Sequence, residues 1–265
     1  MYRKHFGLKR RVFDNEIDVD ALFVSKSALE LVARLDYLFK LRGIGLVTGD
    51  AGSGKTTVTR KVTCGLHQGL HRVFYVPLST GNVMDLYKSI AWELGLPTER
   101  SRAALYKCIR DEVSRLCLEA KIKPILIIDE AQNLRSDVLE DLRLLTNYRM
   151  DSENRLTLLF IGQAELRRRL SMAVHEALSQ RIVVRHHVAG LEREEVGDFL
   201  AHLLRLAGTE VQLFEPPARE AIFQATNGLP RKLMRLAHHA LNAAAAAKAK
   251  SVGADHVESA LAEVS

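Results

Sequence analysis

The sequence predicts an α/β fold in which a five-stranded parallel sheet lies between helices, followed by a small all-helical domain. Short apolar runs alternate with helical patterns up to residue 190, which is typical of parallel βαβ units covered on both faces. After residue 190 only helical stripes of apolar residues remain. The pattern therefore divides the chain into an N-terminal segment at residues 1–26, an α/β domain at residues 27–190 and a helical domain at residues 191–265.

The composition agrees with a folded soluble protein. Of the 265 residues, 47% are hydrophobic and 26% are charged, which excludes disordered and fibrous classes. The sequence has no run of about 18 apolar residues that would cross a membrane, and its basic start is not followed by the apolar segment of a signal peptide. Lys and Arg exceed Asp and Glu by 38 to 32, a mild excess that permits a nucleic-acid partner without requiring one.

The three cysteines, Cys64, Cys108 and Cys117, fall in helical patterns and lack the spacing of a metal site. An odd number of cysteines without such spacing is typical of reduced thiols in a cytoplasmic protein. We therefore expect three half-buried, unpaired thiols.

Five apolar runs flanked by turn residues predict the buried strands of the α/β domain. They lie at residues 43–48, 72–78, 123–128, 156–161 and 182–188.

Helical spacing of apolar residues predicts the segments between the strands. The first helix is expected to begin near Ser27, where Ser27 and Glu30 have the spacing of a capping box. A helix follows Gly54, and others are expected through residues 86–94 and at residues 101–120, 136–149 and 163–170. Four more helical stripes follow residue 190, one of them opened by two prolines and closed by Gly228.

The strongest functional signal is Gly-Asp-Ala-Gly-Ser-Gly-Lys-Thr at residues 49–56, which matches the phosphate-binding P-loop pattern. Its glycines let the backbone N–H groups converge on an anion at a helix N-terminus. Lys55 is expected to contact the β- and γ-phosphates, and Thr56 is expected to bind Mg²⁺. The predicted nucleotide-binding residues are Gly49, Asp50, Ala51, Gly52, Ser53, Gly54, Lys55, Thr56 and Thr57.

A second signal is the pair of carboxylates, Asp129 and Glu130, that follows the strand at residues 123–128. Ligands of open α/β sheets lie at this carboxyl end of the strands. Asp129 is predicted to hold Mg²⁺ through water, and Glu130 to orient and polarise the attacking water. Alone, such a pair is also compatible with a strand-to-helix turn capped by Asp129. The P-loop upstream favours the functional interpretation.

These motifs and several shorter stretches give the chain a resemblance to AAA+ ATPases. More narrowly, it resembles the ExeA-type ATPases and their relatives among the transposition regulators TniB, TnsC, IstB and MuB. The resemblance implies a P-loop AAA+ core with a helical lid, which takes ATP and Mg²⁺. It is carried by residues 2–8, 49–56, 125–133 (Ile-Leu-Ile-Ile-Asp-Glu-Ala-Gln-Asn), 160–163 (Phe-Ile-Gly-Gln), 179–181 (Ser-Gln-Arg) and 228–231 (Gly-Leu-Pro-Arg).

The resemblance also assigns roles to three residues after the second motif. Gln163 is placed as the sensor that contacts the γ-phosphate or the water, and its alternative is a solvated residue at a helix start. Arg181 is placed as an arginine finger acting in trans, with Arg185 as a competitor and a surface arginine as the alternative. Arg231 is placed as a second sensor in the lid or, alternatively, an ordinary exposed arginine. The segment at residues 1–26 is expected beside the base and ribose, or else as an arm that covers the domain.

The resemblance implies a slow ATPase, stimulated by assembly, that forms rings or helical filaments on double-stranded DNA without sequence preference. It would select transposition targets and recruit a transposase, and hydrolysis would disassemble it. The end of the chain at residue 265 favours this function over an ExeA-like secretion or envelope-assembly ATPase that binds no DNA. A nucleotide-gated adaptor with negligible hydrolysis is a third alternative. A cytoplasmic location without a membrane partner is expected.

Basic side chains between the second strand and the second motif are the candidates for contacts with DNA phosphates. For any single one of these residues, a solvated helix surface of mixed charge is the better interpretation. Basic clusters at residues 9–11, 167–169 and 248–250 also compete with them. The candidates are Lys88, Arg100, Arg102, Lys107 and Arg110.

Overall fold

A computed structural model describes residues 2–13, 18–77 and 81–264 of the chain. The predicted end of the second strand and the beginning of the polar turn after it, at residues 78–80, lie outside the described residues. The chain forms two compact units. The helical unit comprises Met1–Leu29, Gly52–Gly54 and Ala189–Ser265, and the α/β unit comprises Glu30–Ala51 and Lys55–Val188.

The α/β unit contains a five-stranded sheet in which every pair of neighbouring strands is parallel. The strand order is β2-β3-β4-β1-β5, so β1 lies inside the sheet between β4 and β5. The predicted α/β fold with five parallel strands is confirmed, and the ends of β1, β2 and β4 differ from the prediction by one or two residues. The strands are β1 (Ile44–Gly49), β2 (His71–Val76), β3 (Lys123–Ile128), β4 (Thr157–Gly162) and β5 (Ile182–Val188).

Helices connect the strands and make up most of the helical unit. Short 3₁₀ turns occur at Val19–Ala21, Ala131–Asn133 and Ala173–His175. The helices are α1 (Tyr2–His5), α2 (Lys26–Leu41), α3 (Lys55–Cys64), α4 (Val83–Leu94), α5 (Arg102–Leu118), α6 (Ser136–Leu145), α7 (Ala164–Leu170), α8 (Glu176–Arg181), α9 (Arg193–Leu206), α10 (Pro216–Thr226), α11 (Pro230–Ala246) and α12 (Ala254–Val264).

Apolar clusters cover both faces of the sheet. Along β1, Ile44 and Leu46 belong to one cluster, whereas Val47 belongs to the other. Because successive side chains of a strand point to opposite faces, a strand buried on both sides needs an uninterrupted apolar run. This requirement explains why the strands were recognisable in the sequence.

The N-terminal segment packs into the core of the helical unit. Tyr2, Leu8 and Val12 are buried in one cluster with α9–α12, and the N–H of Lys9 donates to the carbonyl oxygen of Ala207 (2.9 Å). The short helix α1 at its start was not predicted, because a single turn carries too few residues to show a period.

The predicted capping box at the start of α2 is wrong. The helix begins one residue earlier, and the N–H of Ala28 donates to the hydroxyl of Ser25 (3.2 Å). Ser27 therefore lies inside the first turn, where its hydroxyl accepts the N–H of Ala189 (3.2 Å). Glu30 instead accepts a hydrogen bond from Arg34, one turn later (2.6 Å).

The predicted helix at residues 136–149 is too long, because α6 ends at Leu145. Arg149, Met150 and Asp151 all have positive φ angles of 47°, 53° and 69°, which a right-handed helix does not allow. A bridge between Tyr148 and Glu153 closes the turn that they form.

The three cysteines are free thiols. Cys108 and Cys117 are half-buried as expected, whereas Cys64 is exposed at the end of α3. Burial raises the pKa of Cys117, and its thiol donates to the carbonyl oxygen of Arg155 (2.9 Å).

Gly228 and Gly95 provide a matched test of backbone strain, because both have positive φ angles, +69° and +73°. A Cβ atom at Gly228 would lie 2.1 Å from the carbonyl oxygen of Leu191, whereas a Cβ at Gly95 would meet nothing within 4 Å. We predict that Gly95→Ala lowers the free energy of unfolding by about 1 kcal/mol through strain alone. Gly228→Ala should cost about 2–3 kcal/mol more, because the backbone must also move. Urea unfolding of the two variants measures the difference, and equal losses would contradict the predicted clash.

Candidate active site

The P-loop joins the end of β1 to the start of α3. Gly52 and Gly54 have φ angles of +82° and +95°, a conformation that glycine adopts without steric cost. The buried side chain of Lys55 spans the loop, and its Nζ donates to the carbonyl oxygens of Gly49 (2.8 Å) and Asp50 (2.7 Å). The loop is therefore held in a turn by the same ammonium group that the motif assigns to phosphate.

Two features of the loop fit a bound phosphate. The hydroxyl of Ser53 is buried and has no hydrogen-bond partner among the described residues, although buried polar groups are normally paired. A Cβ atom at Gly54 would meet no atom of the described part of the chain within 4 Å, so the backbone is accessible there. Both features suit an anion that accepts hydrogen bonds from the loop.

Asp129 is fixed by three donors just after the end of β3. Its Oδ2 accepts hydrogen bonds from the hydroxyls of Thr56 (2.8 Å) and Tyr75 (2.8 Å), and its Oδ1 accepts the N–H of Glu130 (2.8 Å). Burial and the bond to Asp129 raise the pKa of Tyr75, so the phenol keeps its proton and remains a donor. A hydroxyl beside a carboxylate is the kind of oxygen donor set that Mg²⁺ takes alongside phosphate.

Glu130 has a left-handed backbone with φ 51° and ψ 34°. This conformation costs about 1–2 kcal/mol for a residue with a Cβ atom, and such strain collects at functional positions. Its carboxylate accepts a hydrogen bond from the side-chain amide of Gln132 (2.7 Å). The strained turn therefore presents a held carboxylate at the carboxyl end of the sheet.

Gln163 immediately follows β4 and precedes α7, and its side chain is exposed. In the strand register, Gly162 pairs with Thr48 on one side, while Phe160 pairs with Ile128 on the other. Gln163 therefore lies at the carboxyl end of the sheet, between the start of the P-loop and the two carboxylates. The strand register therefore brings the P-loop, Asp129, Glu130 and Gln163 to the same end of the sheet, although the sequence predicted them separately.

Arg181 is the last residue of α8 and immediately precedes β5. The other end of β5, at Val188, is the one that pairs with Gly49 of the P-loop. Its guanidinium pairs with Asp151 and donates to the carbonyl oxygen of Arg143 (3.5 Å). The competing Arg185 donates to the carbonyl oxygen (2.6 Å) and the hydroxyl (2.8 Å) of Ser179. Both arginines have partners within the α/β unit, so their roles in trans stay predictions.

Arg231 occupies the first turn of α11, directly after Pro230. Its side chain is exposed, and its backbone N–H donates to the carbonyl oxygen of Gly52 (3.2 Å). A Cβ atom on Gly52 would lie 2.5 Å from the Cβ of Arg231, so this glycine is required by the close approach of α11.

The five basic candidates for DNA contacts fall into two groups. Arg102 pairs with the buried Asp141, and Arg110 stacks 4.2 Å from the ring centre of Tyr148, so both have structural contacts. The other three make no ion pair or side-chain hydrogen bond with the part of the chain that the structure describes. These three are Lys88, Arg100 and Lys107.

Sequence reasoning missed three residues that shape the site. Tyr75 holds Asp129, Gln132 holds Glu130, and Arg169 donates to the carbonyl oxygens of Gln132 (2.6 Å) and Leu134 (2.7 Å). Gln132 was visible inside the Asp-Glu-Ala-Gln-Asn stretch but received no role. Nothing in the sequence distinguishes Tyr75 or Arg169 from ordinary strand and helix residues.

The central part of the chain matches a known family. Residues 39–170 match the family model described as "AAA domain". The chain is 33% identical over 249 residues to general secretion pathway protein A of Aeromonas hydrophila, an alignment that covers 92% of this chain and 45% of that protein. The chain thus spans less than half the length of this relative. The expected similarity to an ExeA-type protein is confirmed, whereas similarity to TniB, TnsC, IstB and MuB stays a prediction.

Solved structures show the same fold at low identity. Cdc6p from Pyrobaculum aerophilum has a TM-score of 0.72 at 18% identity over 96% of this chain and 70% of that chain. Drosophila ORC bound to DNA has a TM-score of 0.69 at 18% identity over 99% and 65% of the two chains. Aeropyrum pernix ORC1 in complex with DNA has a TM-score of 0.66 at 21% identity over 96% and 68%. These similarities show the AAA+ P-loop fold.

Within the described ranges, none of the helices is both long and apolar enough to span a membrane.

Lys55 provides the test of the phosphate site. We predict that Lys55→Ala weakens Mg-ATP binding about 100-fold, because a charged donor to phosphate is lost. Arg60→Ala removes one exposed positive charge from the same helix, and we expect its affinity to stay within about twofold of the native value. Calorimetric titration with a non-hydrolysable ATP analogue measures both constants. Native affinity in Lys55→Ala would contradict the P-loop assignment.

Proposed function

We propose that this chain binds Mg-ATP and hydrolyses it at the carboxyl end of the sheet, in the region of residues 39–170 that matches the AAA-domain model. The observation that supports this most directly is the 2.8 Å hydrogen bond between the hydroxyl of Thr56 and Asp129. It joins the residue that the P-loop motif assigns to Mg²⁺ to the carboxylate that the second motif assigns to the same ion. The hydrogen bond thus brings a residue of each of the two sequence motifs into direct contact.

In this proposal each residue has one task. The loop amides and Lys55 bind the phosphates. Thr56, together with Asp129 acting through water, would hold Mg²⁺, which would supply positive charge to the phosphate oxygens. Glu130 accepts a proton from the attacking water, and Gln163 orients that water or the γ-phosphate. Arg181 of a neighbouring subunit and Arg231 add positive charge as the reaction proceeds.

The role of Glu130 is separable from binding. We predict that Glu130→Gln binds Mg-ATP within about twofold of the native affinity but hydrolyses it at least about 100-fold more slowly, because an amide is a poor base. Glu165→Gln removes an exposed carboxylate from the first turn of α7 and should keep the native rate. Steady-state phosphate release and analogue titration measure the two effects. Native turnover in Glu130→Gln would require a different base.

For the cellular task, we infer that assembled subunits bind duplex DNA through its phosphates and regulate transposition by recruiting a transposase. The motifs at residues 2–8 and 125–133 carry the resemblance to ExeA-type ATPases and their relatives among the transposition regulators. Solved proteins with this fold include ORC proteins bound to DNA. Lys88, Arg100 and Lys107 offer three cations without partners among the described residues. Each subunit contributes few contacts, so affinity for DNA would depend on assembly.

A second candidate is an ATPase of a secretion or envelope-assembly system that binds no DNA. One specific observation favours it, which is the 33% identity with general secretion pathway protein A over 92% of this chain. Both candidates use the same nucleotide site, so the ATPase proposal stands whichever one is correct. They differ in whether nucleotide promotes retention of DNA.

DNA binding distinguishes the two candidates. We predict that ATP or a non-hydrolysable analogue promotes binding to two unrelated duplexes with similar affinity, and that the affinity falls steeply with salt because phosphate contacts release counterions. Changing Lys88, Arg100 and Lys107 together to Ala should weaken binding about tenfold or more, since three phosphate contacts are lost. Fluorescence anisotropy at two salt concentrations measures these constants.

The control for this experiment changes Lys40, Arg60 and Lys232 to Ala, which removes the same charge from exposed positions elsewhere. If this variant loses as much affinity as the first, net charge rather than a localised surface explains the binding. Absence of nucleotide-dependent binding at low salt would favour the secretion candidate.

A further inference from the structure

Gln132 connects the two segments that carry the proposed base and the proposed sensor. The residue is buried, with 9% relative exposure, and both polar atoms of its side-chain amide form hydrogen bonds. The amide nitrogen donates to Oε2 of Glu130 (2.7 Å), and the amide oxygen accepts the backbone N–H of Gln163 (3.1 Å). One side chain thus joins the turn after β3 to the start of α7.

Both contacts require an amide. A carboxylate such as Glu130 only accepts hydrogen bonds, and a backbone N–H only donates them, so the connecting group must be a donor at one end and an acceptor at the other. Glutamine provides both functions on a chain of the right length. A methionine would have neither, and a glutamate would keep the acceptor but lose the donor.

The space around the amide is also limited. A Cβ atom at Gly162 would lie 2.9 Å from Oε1 of Gln132, so the glycine at the end of β4 leaves room for the side chain. On the other side, Arg169 of α7 donates to the carbonyl oxygens of Gln132 (2.6 Å) and Leu134 (2.7 Å). Backbone and side chain of Gln132 are therefore both held by the segment that follows β4.

We propose that Gln132 is a positioning residue for hydrolysis, which holds the Glu130 carboxylate in register with the Gln163 peptide. This inference rests on the proposed ATPase function. The backbone of Glu130 does not by itself fix the rotatable bonds of its side chain, and the hydrogen bond from Gln132 restrains the carboxylate. A shift of the Gln163 peptide toward or away from the γ-phosphate is transmitted through one amide to the base.

The test uses two substitutions of similar length. Gln132→Met removes both hydrogen bonds, and we expect kcat to fall about tenfold while the affinity for an ATP analogue stays within about twofold. Gln132→Glu keeps the acceptor for the Gln163 N–H but replaces the donor by a like charge beside Glu130, so kcat should fall at least as far. Gln224→Met removes a glutamine–glutamate hydrogen bond from α10 (Gln224 to Glu220, 2.8 Å) and should keep the native kcat.

A double-mutant comparison separates positioning from a general structural effect. In a Glu130→Gln background, where the base is already lost, Gln132→Met should cause no further fall in the single-turnover rate. An equal fractional loss in both backgrounds would overturn the proposal, because Gln132 would then act independently of Glu130. Native kcat in both Gln132 variants would overturn it as well.

The proposal and the ATPase function fail differently. If Glu130→Gln hydrolyses ATP at the native rate, the proposed function of Glu130 fails before Gln132 is considered. If turnover depends on Glu130 but both Gln132 variants match the native rate, only the positioning role fails. Thermal unfolding of each variant shows whether a loss of kcat comes from a smaller folded fraction. If Gln132→Met is unstable, the kcat of Gln132→Glu decides the test.

Discussion

The hydrogen bond between Thr56 and Asp129 is the contact on which the proposed chemistry depends. It joins two residues 73 positions apart in the sequence, and it forms because β1 and β3 lie on either side of β4 in a parallel sheet. Parallel strands bring their carboxyl ends to one edge. A change in strand order would separate the P-loop from the carboxylates, even if every motif residue were kept.

Around that contact the chain accepts local strain to place Glu130. A left-handed backbone at a glutamate is unfavourable by itself. It persists because several hydrogen bonds around Glu130 hold it in this conformation. The N–H of Glu130 donates to Asp129, its carboxylate accepts from Gln132, and Arg169 holds the following turn from α7. Donors from α3, β2 and the turn after β3 thus converge on the two carboxylates. Each of these hydrogen bonds restricts a side chain that would otherwise move freely in water.

The sequence was sufficient for the features that depend on local patterns. Strands buried on both faces require apolar runs, and the phosphate loop requires its glycines, so both were predictable. The errors have tertiary causes. Ser27 has the spacing of a cap, but Ser25 forms the cap because Ser27 bonds Ala189 instead. Gln132 appeared within a recognised stretch, but its role depends on a peptide 31 residues away, and no local pattern records such a contact.

The contacts of Arg181 differ from those of Glu130, because the ion-pair partner of Arg181 can be replaced by another anion. Its partner Asp151 lies on a turn of three left-handed residues and is half exposed. Solvent reaches Asp151 and weakens the ion pair, so replacing Asp151 by a phosphate of a neighbouring subunit would cost less than breaking a fully buried pair. In the proposed assembly the finger would therefore be released by contact with a neighbour rather than by a separate conformational change. The fraction of Arg181 released from Asp151 would then depend, by mass action, on both the subunit concentration and the nucleotide occupancy.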